Sequence, residues 1–470
     1  MSFLSKERTI APPGYSRWLI PPAALCVHLC IGQAYAFSVF NIPMTKLIGI
    51  TQNVPAGGWD LHNLRAIPSS PQDWALTNLG WIFSLGIFFL GVSAALLGRW
   101  VEEGGPRKAM FTAALCWAGG FLLSAIGVYV HNIWVIYFGY GILGGFGLGI
   151  GYISPVSTLI KWFPDRPGMA TGMAIMGFGG GAFIASPLSV WLMSQFTRAT
   201  HVGVAETFIT MGIIYFCFMM VGAWIVRVPA PGWKPEGWVA PAEPKKLVTT
   251  KNVFVYQALK TPQFWLIWWV LCLNVTAGIG VLGQASAMSQ EMFPGRVTAV
   301  AAAGFVGLMS LFNMAGRFFW ASASDYIGRK NTYFTFFILG AILYALVPYT
   351  GKVGSVTGFV CAYAVIFSMY GGGFSTVPAY LRDMFGTRYV GAIHGMLLTA
   401  WSMAGIFGPV LVNYIRQYNV THGVAAAQAY NITMYVMAVL LIIGFICNYF
   451  IQAVNERHHM TLEEAEEMAI

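Results

Sequence analysis

The chain has 470 residues, of which 57% are hydrophobic, 15% aromatic and only 9% charged, with a formal net charge of +9. Soluble domains carry roughly a quarter charged residues, because water must cover their surface, so this composition excludes a soluble enzyme. The 26 Lys and Arg stand between apolar runs rather than on one basic face, which removes the electrostatic footprint of a nucleic-acid binder.

From the N-terminus, MSFLSKERTIAPPGYSR is polar and ends in no small-residue cleavage site, so it reads as a cytoplasmic N-terminus rather than a signal peptide. A bilayer core of about 30 Å needs roughly 20 helical residues to cross it. Twelve runs qualify, near residues 18–43, 74–98, 108–130, 133–160, 168–194, 206–226, 263–287, 298–322, 331–350, 355–379, 389–415 and 429–453. Lipid offers exposed backbone groups no partner, so these runs must be helices and the fold all-α. Nineteen of the 26 Lys and Arg fall on the side of the N-terminus, six on the other, and Arg317 lies within a span. That bias supports the count of twelve and puts both termini in the cytoplasm.

Two segments break the short-loop rhythm. Residues 44–73 form a long outer loop with no readable role. Residues 227–262, rich in Pro and Lys, divide a six-helix half, 1–226, from a second half and tail, 263–470. The halves echo each other: GRWVEEGGPRK (98–108) and SASDYIGRK (322–330) each place an acid shortly before a Gly and two basic residues. Two such halves around a midplane site is the layout of a transporter that rocks one bundle against the other. The tail HHMTLEEAEEMAI reads as a short acidic surface helix with solvated histidines.

The glycine runs GGFGLGIG (144–151), GFGGG (177–181) and GGG (371–373) lie within spans, so they read as close helix packing rather than nucleotide loops. The seven cysteines lie in apolar runs without CxxC spacing, which suggests packing roles and neither disulfides nor a metal site. All 17 Asp and Glu fall in loops, tails or span ends, so no pair of carboxylates supports catalysis and no cofactor is expected.

Three ionisable groups remain inside the spans. Arg317 stands eight residues before Asp325, roughly 12 Å along its helix. A buried guanidinium is costly unless it meets an anion or water, and its planar fork suits a carboxylate. The competing reading pairs it with Asp325 or lets it reach the cytoplasmic surface. His394 and Trp401 are seven residues apart and share a face, as do His28 and Tyr35. Either histidine alone is also a plausible hydrogen-bonded packing residue.

The run YISPVSTLIKWFPDRPGMATGMAIMGFGGGA (152–182) resembles the oxalate/formate antiporter family of the major facilitator superfamily. KTPQFWLIW (260–268), NMAGRFFWASASDYIGRK (313–330), DMFGT (383–387) and GIFGP (405–409) resemble it too, and the GR…D pattern extends the likeness to monocarboxylate transporters. The resemblance implies the two-bundle major facilitator fold. It makes Arg317 the arginine for a substrate carboxylate, with Tyr35 and Tyr152 as cavity aromatics and Asn313 heading the same stretch. Where the family's oxalate exchanger carries a second cation, a lysine, this chain has Trp401. Where that exchanger has tyrosines, it has Phe374 and His394.

One cation and a larger apolar wall favour one carboxylate, since a dianion would leave a charge unpaired. The expectation is a monomeric carrier of a lactate-, pyruvate- or formate-like monocarboxylate in a bacterial inner membrane, by proton symport or anion exchange. The candidate substrate-binding residues are Arg317, Tyr35, Tyr152, His394, Trp401, Phe374, Asn313 and His28. A carrier for another solute class, with Arg317 structural, and a transporter-like carboxylate sensor stay open.

Overall fold

A computed structural model describes residues 3–53, 59, 61, 64, 67–239, 247–249, 251–282 and 284–461. Most of the acidic tail lies outside these residues, as do parts of the outer loop and of the central segment. Twelve long helices organise the rest. We label them α1 (Ile20–Ile31), α2 (Leu76–Gly104), α3 (Pro106–Tyr129), α4 (Gly145–Trp162), α5 (Pro167–Phe196), α6 (Val204–Ile225), α7 (Pro262–Leu282), α8 (Ala299–Ile327), α9 (Arg329–Val353), α10 (Val356–Phe385), α11 (Val390–Leu397 with Thr399–Thr421) and α12 (Asn431–Tyr449). Eleven helical segments of the described residues are long and apolar enough to cross a membrane. The twelfth helix, α8, is 29 residues long and carries Arg317. The only β-structure among the described residues is three isolated bridges.

Local chemistry sets the helix ends. Pro106, Pro167 and Pro262 stand at helix starts, where a missing N–H costs nothing. Gly105 and Gly328 hold φ of 82° and 86° between α2 and α3 and between α8 and α9, a turn that disfavours a Cβ. The WFPDRPG run supplies the turn between α4 and α5. Its Asp165 accepts from both Arg17 guanidinium nitrogens at 2.8 and 3.3 Å, tying the N-terminal segment to that turn.

The halves repeat one neighbour pattern. In the first, α1 packs on α5, α2 on α4 and α3 on α6; in the second, α7 packs on α11, α8 on α10 and α9 on α12. The halves meet along two seams, α5 with α8 and α2 with α11. Small residues line both. A Cβ on Gly172 would come within 2.9 Å of the Arg317 carbonyl, and one on Gly395 would collide with the Ala94 carbonyl. Such close approach is how helices associate where lipid removes the hydrophobic drive. The N-terminal segment pairs with Val228, and the tail with Val253, so both chain ends lie on one face, here the terminal face.

Two acids lock the seams there, one for each half of the sequence echo. Asp325, at the end of α8, accepts from the Gly168 and Met169 backbone N–H groups at 2.8 and 2.9 Å, capping α5. Glu102, at the end of α2, accepts from the Gly391 N–H at 3.1 Å, capping α11, and from Lys161 at 2.5 Å. A carboxylate at a helix N-terminus satisfies orphan donors and the helix dipole together. The pairing of Arg317 with Asp325 entertained from the sequence is therefore not made.

The outer loop also has an organiser. The Asp73 carboxylate accepts from Ile48, Gly49 and Ser70 N–H groups at 2.7, 2.8 and 2.8 Å. Trp74 beside it stacks on His131 with centroids 4.4 Å apart.

Candidate functional site

Helix α8 brings Arg317 to the middle of the molecule, where it is fully buried. Its Nε donates to Asn313 Oδ1, one turn earlier, at 3.0 Å, and Nη1 reaches the Ile175 carbonyl of α5 at 3.4 Å. Nη2 has no partner. Among the described residues no ion pair includes Arg317. Its fork lies over the ring of Phe374 at 5.0 Å and of Phe178 at 5.7 Å. Each such contact is worth about 0.5–2 kcal/mol, too little to replace the hydration of a whole cation.

The remaining wall comes from both bundles. Tyr35 lies on the 3-10 stretch Gly32–Phe40 that continues α1, and its hydroxyl stands 3.5 Å from that of Tyr370 on α10. Tyr152 of α4 packs against Trp401 of α11 at 5.4 Å between ring centroids, and Trp401 against Phe374 at 4.4 Å. The Tyr152 hydroxyl lies beside the guanidinium without completing a hydrogen bond to it. The Trp401 indole N–H and both ring nitrogens of His394 are likewise buried and have no partner among the described residues, with His394 5.9 Å from Tyr152 between centroids. Leaving several buried polar atoms unsatisfied at one place is expensive, and such a cluster calls for a polar ligand.

Seven of the eight residues singled out from the sequence thus converge: Arg317, Asn313, Tyr35, Tyr152, Phe374, Trp401 and His394. The eighth, His28, is buried next to them, but both its nitrogens face backbone carbonyls, of Ala174 and of Tyr152, rather than the centre. Sequence reasoning missed Phe178 and Tyr370. Phe178 lies inside the GFGGG run, whose glycines drew attention away from it, although its place within that span could have marked it. Among the described residues no group of three or more His, Cys, Asp or Glu could hold a metal.

A cavity of about 1470 Å³ opens at the terminal face, lined by residues that include Lys161, Asp165, Asp325, Arg329, Arg382 and Asp383. Neither Arg317 nor the aromatic wall borders it. Its floor is an ion-pair cluster: Arg329 binds Asp325 at 2.6 Å and Asp383 at 3.1 Å.

Comparison with known proteins places this architecture. Residues 23–409 and 302–468 match the Major Facilitator Superfamily. The oxalate:formate antiporter of Oxalobacter formigenes is 31% identical over 312 residues, 66% of this chain and 69% of that protein. Apicoplast pyruvate carrier 1 of Toxoplasma gondii is 23% identical over 85% of this chain and 83% of its own. Among solved structures, the E. coli fucose:proton symporter aligns with a TM-score of 0.62 at 14% identity, covering 93% of this chain and 99% of that one. The chain is therefore a membrane transporter of the major facilitator superfamily and belongs to its oxalate/formate antiporter family.

Proposed function

We propose that the protein carries a small monocarboxylate, of the lactate, pyruvate or formate kind, across a bacterial inner membrane by alternating access. The observation that carries this reading is the buried Arg317 guanidinium, with Nη2 unpartnered and no acid beside it among the described residues. A carboxylate can take that donor and the neighbouring Tyr152 hydroxyl together. The Trp401 N–H and His394 then meet the body of the substrate, while Tyr35 and Phe374 enclose it and Asn313 fixes the fork. Oxalate, with two charges, finds one guanidinium here and an indole where a second cation would be needed. Relatives named for oxalate, formate and pyruvate support a small organic acid as the substrate. The terminal face, which carries most of the basic residues, is the cytoplasmic one. Transport runs as proton symport or anion exchange, by a monomer.

Uptake of labelled L-lactate, pyruvate, formate and oxalate into proteoliposomes, wild type beside Arg317→Lys, tests this. Accumulation of one monocarboxylate but not oxalate, cut about 100-fold in the variant, is expected. Normal transport by Arg317→Lys, or no movement of any acid, sinks the reading.

A further inference from the structure

Two basic side chains in the middle of the molecule are held by consecutive carbonyls of α5. The Arg317 guanidinium reaches the Ile175 carbonyl at 3.4 Å, and the Nδ1 of His28 meets the Ala174 carbonyl. The other ring nitrogen of His28, Nε2, lies 3.1 Å from the Tyr152 carbonyl on α4. Tyr152 thus touches both centres, His28 through its carbonyl and Arg317 beside its hydroxyl.

His28 is fully buried. A neutral imidazole has one N–H and one lone pair. With a carbonyl oxygen at each nitrogen, the neutral ring satisfies one contact and sets lone pair against lone pair at the other. Adding a proton turns both contacts into N–H···O=C hydrogen bonds. The two contacts are matched to the imidazolium form, which is opposed first by burial away from water and second by one nearby positive charge.

That charge is Arg317 on α8. The other ionisable groups around the ring are the Tyr152 phenol of α4 and the imidazole of His394 on α11. α1 itself carries two thiols, Cys26 and Cys30, and Tyr215 of α6 lies beside the second. From α5 the ring meets backbone and Gly177, where a Cβ would stand 3.0 Å from that of His28. No carboxylate of the described residues pairs with it.

We propose that His28 is a proton-binding site coupled to the anion on Arg317. The inference rests on the carboxylate reading above. With the anion site empty, the Arg317 charge opposes a proton on His28. A bound carboxylate cancels that charge, so each ligand raises the affinity for the other, equally in both directions. Loaded with both, the centre carries the same net charge as when empty. The proton moves onto a ring nitrogen facing a carbonyl, and no bond of the substrate changes.

The test uses the full-length protein in weakly buffered detergent solution with a pH-sensitive dye, at several pH values between 5 and 8. L-lactate, pyruvate and formate are added in turn. Proton uptake on binding, rising toward one per acid bound, is expected of the wild type. In proteoliposomes, the ratio of uptake with and without an inward proton gradient should fall to unity in His28→Gln. Binding with no proton uptake by the wild type at any pH overturns the proposal, as does a wild-type ratio in His28→Gln. Exchange of labelled against unlabelled acid at equal pH moves no net proton and reports the Arg317 site by itself. Exchange without proton uptake removes the role of His28 and leaves the carboxylate site standing. Absence of exchange for all three acids removes the carboxylate reading, and this inference with it. The dye measurement needs no variant, so it decides even where His28→Gln does not fold.

Discussion

Arg317 and Arg329 stand twelve residues apart, both buried, and their surroundings differ in kind. Arg329 is saturated: Asp325, Asp383 and Ser324 all accept from its guanidinium. Arg317 has one side-chain amide, one carbonyl, two aromatic faces and a donor left over. A buried charge whose partners are all internal holds structure together. One left short of acceptors has capacity for something that arrives and leaves.

The largest test of this contrast is Arg329→Ala, which strands two carboxylates among buried surroundings. It should cost about 3–5 kcal/mol of stability, read as thermal unfolding in detergent. A variant as stable as wild type would break the comparison from the structural side. Arg317→Lys breaks it from the other: uptake should fall about 100-fold, roughly 2.7 kcal/mol, with the unfolding midpoint nearly unchanged. A shared loss of stability in both variants would mean that the two arginines do the same job.

Asp73→Asn extends the test to the outer loop, where three backbone donors converge on one carboxylate. Removing its charge should weaken the loop by about 1–2 kcal/mol, seen as faster proteolysis of the 44–73 region.

The smallest expected effect is at the tail. Burial first, and the nearby Lys251 charge second, hold the pKa of His459 below its ordinary 6.5. The folded protein therefore prefers the neutral ring. The bridge of His459 with Val253 is at full strength above pH 6.5 and weakens as pH falls through the lower folded value. The protection factor of the Met460 amide, which donates to Asn252 at 2.9 Å, corrected for the intrinsic exchange rate at each pH, should fall on acidification and hold steady between pH 7 and 8.

Why seven of the eight candidate residues converge follows from the same physics. An arginine within an apolar run has few excuses, so Arg317 announced itself, and shared helix faces gathered His394 with Trp401. His28 shares that spacing with Tyr35, but no sequence displays that its nitrogens turn to backbone carbonyls rather than to the centre. The glycine run 177–181 was legible as packing, but each glycine meets a different neighbour: Gly177 meets His28, Gly179 the Arg317 side chain and Gly181 the backbone of Gly32. That assignment depends on helix crossings, which one sequence does not specify. The 3-10 stretch Gly32–Phe40 and the π-helical Tyr137–Gly144 were equally hidden, since local hydrophobicity is the same in any helical winding. The bond from Tyr140 to Gln33 at 2.9 Å, which joins them, is purely tertiary.

The two seam locks end on main-chain amides: Asp325 on Gly168 and Met169, Glu102 on Gly391. An amide is common to every residue except proline. Two of those amides belong to glycines that have no room for a side chain: a Cβ on Gly168 would collide with the Ala321 carbonyl, and one on Gly391 with the Glu102 carboxylate itself, so each lock is inherited through its acid and the bare backbone it grips. Substitution of either acid would loosen one seam at the terminal face while leaving Arg317 and the aromatic wall around it untouched.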